Sequence, residues 1–192
     1  MTSHDAEPFA STERLLLRRF VPGDFEAYSA YRSLPDIYRF LYRDPPSPEA
    51  MKARFDARLN SSFSEDGDTL PCAAIRREDG ALVGDVSLTF ANKAALQAEV
   101  GYIFSPAHAG RGYATEATDA IITLGFETFG FHRIFARLDA KNARSVGVVE
   151  RLGLRREALL IESDRFNGVW GDECVYAVLS REWAARAPKP KP

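Results

Sequence analysis

The stretch "HAGRGYATEA", His108 to Ala117, places two glycines around an arginine immediately before a helix-like run. Gly110 and Gly112 have no Cβ, so a ligand can come close to the main chain there. The amides from Arg111 to Thr115 fall at a helix start, where they lack intrahelical partners and point outward. Such amides, with the positive end of the helix dipole behind them, bind phosphate or pyrophosphate. The plain alternative is a glycine-rich turn without a ligand. A second pair, Asn142 and Ser145, lies three positions apart on one face of another helix-like run, where Asn142 also suits an N-cap. Cys72 and Cys174 sit in apolar strand-like runs and read as buried, reduced thiols. Three scattered histidines do not assemble a zinc site, so no metal is expected.

These residues need elements to hold them. "TERLLLRRF", Thr12 to Phe20, reads as a first strand. Asp24 can cap a helix through Ser33, with Phe25, Ala27, Tyr28 and Tyr31 along it. Ser47 followed by Pro48 starts a second helix to about Leu59. Strands follow at Thr69 to Arg76, Ala81 to Phe90 and Ala98 to Phe104, an antiparallel meander by their short connections. From Thr115 to Phe129, Ala117, Ala120, Ile121, Leu124 and Phe129 recur at helical spacing. "RIFARLDA" alternates as a strand. Asn142 opens a helix that ends at "RLGL", with Gly153 placed as the left-handed residue past its end. "DECVYAVLSREW" closes the chain as a strand. The order β-α-α-β-β-β-α-β-α-β is that of a mixed α/β sheet with helices on its faces.

A chain of 192 residues, 45% hydrophobic and 27% charged, suits one substantial core. The reading is a single domain over residues 11–184, an N-terminal tail over 1–10 and a Pro/Lys-rich, disordered tail over 185–192. The net charge is −2 and no basic run is present, so no nucleic-acid partner is expected. No apolar run approaches the roughly 18 residues of a membrane span, so no membrane partner is expected either. "MTSHDAEPFA" has neither the basic nor the apolar part of a secretion signal, which implies a cytoplasmic protein. A monomer and a homodimer are equally compatible with the sequence.

Three phosphate-binding patterns compete for the glycine loop. The ATP-type loop needs a closing Lys-Ser/Thr, and "GRGYATEA" has no lysine. The dinucleotide pattern G-x-G-x-x-G fails at Thr115 and expects a βαβ unit instead of a meander. The coenzyme A loop of N-acetyltransferases, Q/R-x-x-G-x-G/A, fits at Ala109-Gly110-Arg111-Gly112-Tyr113-Ala114 except at its first position, which is Ala109. Around it, "TERLLLRRF", "AEVGYIFSPAHAGRGYATEA", "NARSVGVVERLGL" and "NGVWGDECVYAVLSREW" follow in order. On these motifs, spanning Thr12 to Trp183, the chain resembles the GNAT superfamily of N-acetyltransferases. More narrowly it looks like the branch of ribosomal-protein N-terminal acetyltransferases.

The resemblance implies a GNAT fold and acetyl transfer from acetyl-CoA to a primary amine, a peptide N-terminus or a small amine. It implies an acetyl-CoA site at Ala109, Gly110, Arg111, Gly112, Tyr113, Ala114 and Thr115, with Arg111 or His108 as replacement for the missing charge at Ala109. It places main-chain amides of Tyr102, Ile103 and Phe104 at the thioester carbonyl, on a strand that splays from its neighbour. It gives Asn142 to the pantetheine arm and Ser145 to the sulfur, where a serine hydroxyl can return a proton to the leaving thiolate. Two acids, Glu99 and Asp164, compete as the base. The aromatic segment "IYRFLYRDPP", with Tyr38, Phe40 and Tyr42, corresponds to the wall of the acceptor site. Acetylation of an antibiotic or polyamine, and a catalytically silent acetyl-CoA-binding module, are the other readings.

Overall fold

The computed structural model describes residues 7–186. It opens with a hairpin, β1 (Pro8–Ser11) against β2 (Leu15–Arg18), where the sequence suggests one strand from Thr12 to Phe20. Thr12 closes the turn, its amide and its hydroxyl both donating to the Leu15 carbonyl, at 2.9 and 3.2 Å. The hairpin therefore also takes up residues 8–10 of the expected N-terminal tail. Residues 1–6 of that tail, and residues 187–192 of the C-terminal one, lie outside the described residues.

Helices α1 (Phe25–Arg32), α2 (Pro35–Tyr38) and α3 (Pro48–Leu59) follow. Ser47 caps α3 by accepting the Ala50 amide at 3.2 Å, which satisfies one of the orphan donors of the first turn. Asp24 precedes α1 as expected, but its carboxylate serves Arg18 (2.7 Å) and the Val21 amide (2.9 Å) instead of the helix. β3 (Thr69–Arg76), β4 (Leu82–Asn92) and β5 (Gln97–Phe104) form the antiparallel meander. After them come α4 (Tyr113–Glu127), β6 (Arg133–Asp139), α5 (Ala143–Arg151), β7 (Arg155–Phe166), β8 (Val169–Leu179) and α6 (Ser180–Ala184). The order read from the sequence is present, with β1, β7 and two short helices added to it.

The eight strands run β1-β2-β3-β4-β5-β6-β8-β7 in one sheet. Side chains of a strand alternate between faces. Cys72 and Ala74 accordingly join the core under α4, with Val86, Leu88, Val100, Ile121 and Ile122, whereas Ala73 packs with Tyr28, Tyr31 and Phe55 of α1 and α3. On β5, Val100, Tyr102 and Phe104 face α4, and Ile103 faces the α1–α3 layer. Alternation puts Glu99 and Gly101 on the latter face. Cys72 and Cys174 are both buried and free, on strands four places apart in the sheet.

Candidate active site

β5 stays paired with β4 as far as Phe104 opposite Gly84. Its parallel pairing with β6 is much shorter, covering Gln97–Arg133, Ala98–Ile134 and Glu99–Phe135 only. Beyond that rung β6 follows β8, from Arg133–Leu179 to Asp139–Glu173. The edge of Val100 to Phe104 that faces β6 thus opens into a wedge, with main-chain groups outside the ladder. Tyr102 and Phe104 turn their amides into it, whereas the Ile103 amide, expected there from the sequence, faces Asp85 of β4, because the register that carries the Ser105 amide to the Val83 carbonyl at 3.0 Å makes Ile103–Asp85 a hydrogen-bonded pair. The Tyr102 hydroxyl reaches across to α5 and donates to the Ser145 carbonyl at 2.7 Å. Burial pushes the Tyr102 phenol up, against the opposing influence of Ser145 and Arg151. Asn142 caps α5, its side-chain oxygen accepting the Ser145 amide at 3.2 Å.

The glycine loop lies at the mouth of this wedge, between β5 and α4. Gly110 (φ +76°) and Gly112 (φ +79°) are left-handed, a conformation that costs about 1–2 kcal/mol in a residue with a Cβ. A Cβ at Gly110 would meet nothing within 4 Å, and one at Gly112 would only reach Arg14 Nη2 at 3.5 Å. The main chain is therefore open to a ligand at both. Gly112 is the N-cap of α4, and the first intrahelical bond runs from the Glu116 amide to the Gly112 carbonyl at 3.0 Å. The amides of Tyr113, Ala114 and Thr115 precede it and have no partner within the helix.

Arg14 locks this loop in place. Its main-chain amide and Nε bind the two Glu116 oxygens at 3.0 and 2.7 Å, its Nη1 donates to the Arg111 carbonyl at 3.0 Å, and it lies 5.0 Å from the Tyr113 ring centroid. Arg151 of α5 donates from Nε to the Thr115 hydroxyl at 3.3 Å, so a guanidinium stands beside the start of α4. Ala109 offers no charged side chain, and Arg111 is exposed. Burial, with Arg76 and Arg111 nearby, lowers the His108 pKa, and its Nδ1 has no hydrogen-bond partner among the described residues. The open glycines, the orphan amides, Arg151 and the wedge together fit the pyrophosphate and arm of acetyl-CoA.

The other face of the wedge is acidic. Glu99 holds the last rung of the β5–β6 pairing, and burial raises its pKa, with Arg137 opposing and Glu173 reinforcing. Arg137 binds Glu173 at 2.9 Å. Tyr42, between α2 and α3, donates to Asp139 at the end of β6. Burial raises the Tyr42 phenol, and Asp139, Asp164 and Asp172 raise it further. Room for that tyrosine comes from Gly171, where a Cβ would overlap the Tyr42 hydroxyl. Asp164 pairs with Gly171 across the β7–β8 hairpin, after a bulge in which Glu162 takes φ +50° and its amide binds Asp172 at 2.8 Å.

Tyr42, Asp164 and Glu99 are thus gathered with Asp139, Asp172 and Arg137, while Tyr102, Asn142 and Ser145 meet across the wedge. Tyr38 is not among them. It is buried in a separate cleft beside Arg43. Phe40 stacks with Arg39 (5.2 Å), and no contact among the described residues draws it to the wedge. Arg14, Arg151, Asp139 and Gly171 carry no local signal in the sequence. The bonds that reveal the first three join residues 102, 36 and 97 positions apart. Among the described residues no His/Cys/Asp/Glu group could hold a metal, and no helix is long and apolar enough to cross a membrane.

Residues 14–155 match a family model described as an acetyltransferase (GNAT) domain. The uncharacterized N-acetyltransferase YnaD of Bacillus subtilis (strain 168) is 30% identical over 175 residues, covering 90% of this chain and 98% of its own. An acetyltransferase (GNAT family) from Bacillus anthracis has a similar structure, with a TM-score of 0.81, 28% identity, and coverage of 90% of this chain and 98% of its own. A spermidine N-acetyltransferase from Vibrio cholerae, solved with CoA and spermine, shares the fold at a TM-score of 0.77 and 20% identity, with 90% and 99% covered. Relatives named for ribosomal and for spermidine acetylation both occur, so the names single out neither branch.

Proposed function

The chain belongs to the GNAT acetyltransferase family, and on that premise we propose that it transfers an acetyl group from acetyl-CoA to a primary amine by direct attack in a ternary complex. The observation that carries this reading is the wedge: the β5–β6 pairing stops at Glu99–Phe135, with two left-handed glycines and the start of α4 at its mouth. Main-chain amides of Gly110 to Thr115, with Arg151 beside them, hold the pyrophosphate. Asn142 and Ser145 line the pantetheine arm. Bound there, acetyl-CoA supplies an activated acetyl group. The free amides of Tyr102 and Phe104 donate to the carbonyl oxygen as negative charge develops on it, which is worth about 3–4 kcal/mol per well-aimed donor.

An amine attacks only when neutral, and α-amines titrate near 8 against about 10.4 for lysine. Glu99 is the better placed of the two candidate bases. It faces the acceptor layer at the wedge, and burial brings its pKa toward the working range of a base. Asp164 belongs to the wall with Tyr42, Asp139 and Asp172, which attracts the ammonium form of the acceptor and orients it. Ser145, with the Tyr102 hydroxyl at its side, returns a proton to the thiolate. The acidic wall favours a cationic small amine or a peptide N-terminus alike.

Thermal unfolding with and without acetyl-CoA, on wild type and Gly112→Trp, tests the reading. Ligand at a hundred times its Kd adds about 2.7 kcal/mol, a rise of roughly 5–10 °C for a chain of this size. The expected result is that rise in the wild type and its loss in the variant, with thiol release when amines are added. No rise at millimolar acetyl-CoA, or a rise without thiol release from any amine, would overturn the proposal.

A further inference from the structure

A second cleft, of about 380 Å³, lies between α1, α2 and α3 over the start of β3. Four arginines line it: Arg32, Arg43, Arg54 and Arg58, with Tyr28 and Tyr38 among them. One carboxylate, Asp85, answers two of these charges, with Arg32 Nε at 3.2 Å and Arg58 Nη1 at 3.6 Å. Arg58 also donates to the Tyr28 hydroxyl at 3.1 Å. Arg43 and Arg54 form no ion pair among the described residues. Burial and the proximity of Arg54 and Arg32 disfavour the charged form of Arg43. Guanidinium groups converging on a cleft with too few acids match the oxygens of a carboxylate or phosphate, which they bind in pairs of parallel hydrogen bonds.

The position of this cleft gives it a role. Its floor is Thr69 and Pro71, on the same face of the sheet as Glu99 and Gly101. The registers align them directly: Thr69–Thr89–Glu99 and Pro71–Ser87–Gly101. Two strand spacings therefore separate the arginines' floor from the acceptor end of the wedge, about 10 Å. Resting on the acetyl-transfer reading above, the geometry points to an acceptor with two charged ends. Its amine enters beside Glu99, and its carboxylate or phosphate, about 10 Å away across two strands, is held by Arg43, Arg54 and Arg58.

Three extended peptide residues also span about 10 Å, so triglycine and its C-terminal amide form a matched pair with the same α-amine. Thiol release from acetyl-CoA is measured with both, on wild type and on the double variant Arg43→Gln/Arg54→Gln. The expected kcat/KM ratio is at least tenfold in favour of triglycine in the wild type, falling close to one in the variant. Equal use of the two peptides by the wild type would overturn the inference while leaving acetyl transfer standing. A second measurement needs no turnover. With CoA present to fill the glycine loop, phosphate is titrated at constant ionic strength and unfolding is followed. Stabilisation of the wild type that the double variant lacks supports the anion site even if no amine is acetylated. Equal responses of the two proteins to phosphate would overturn it.

Discussion

Two carboxyls on one face of neighbouring strands, the half-buried Glu99 and the buried Asp85, are driven in opposite directions. Burial raises Glu99, and Arg137, already bound to Glu173, does not offset it. Burial would raise Asp85 too, but Arg32, Arg58 and the Tyr31 hydroxyl outweigh it and hold the carboxyl below its ordinary range. The first is therefore suited to take up a proton and the second to stay charged. A base must be ionised, so activity should climb with pH through the raised pKa of Glu99. Glu99→Gln should lower kcat about 100-fold or more and remove that acid limb from the pH profile, leaving the titration of the amine. An unchanged profile would give the role to Asp164. Asp85 has the opposite linkage. With its folded pKa depressed, its contribution is present above the ordinary carboxylate pKa and is lost as pH falls through the lowered value. Asp85→Asn strands Arg32 in the interior, so denaturant unfolding at neutral pH should show a loss of about 3–5 kcal/mol, and the difference from wild type should shrink in acid.

Elements explain which residues the sequence could disclose. The glycine loop and the start of α4 are local, and the pattern of residues 110–117 carries both the left-handed turns and the free amides. Asn142 is legible for the same reason, since its cap bond spans three positions. β7 is different: most of its residues are exposed on both sides, so no alternation of apolar and polar residues marks it as a strand. Without β7 the bulge that seats Asp164 opposite Gly171 cannot be foreseen, nor can the place of Tyr42. The arginine cleft is equally hidden, because its charges are scattered over α1, α3 and the connection between α2 and α3, and only folding brings them together. Gly171 gives this hairpin a test. Gly171→Ala should displace the Tyr42 hydroxyl from Asp139, because the added Cβ takes its space. KM for the amine should rise several-fold while acetyl-CoA affinity, measured by titration calorimetry, stays as in the wild type. A matching loss of acetyl-CoA affinity would mean that Tyr42 supports the wedge itself.

The molecule as a whole is a sheet in two parts. β1 to β5 form one antiparallel unit and β6, β8 and β7 another, joined by three rungs at Gln97 to Glu99. α4 covers the seam. Its Gly125 lies so close to both sides that a Cβ would come within 2.7 Å of Ile134 Cδ1 on β6 and 3.1 Å of Leu88 Cδ1 on β4. Packing closes the seam at that end, and the wedge opens at the other, where the Tyr102–Ser145 bond is a contact from β5 to α5. Groups with solvent-exposed or unpaired backbone open most readily, and a ligand that bridges them restrains that opening. Acetyl-CoA should therefore slow amide hydrogen exchange at Tyr102, at Phe104 and at Tyr113 to Thr115, the groups that donate to it. Exchange in β3 and the paired half of β4 should change little, because those amides are already in ladders. Protection confined to the glycine loop would place the pyrophosphate correctly and show that the acetyl arm does not enter between the two halves of the sheet.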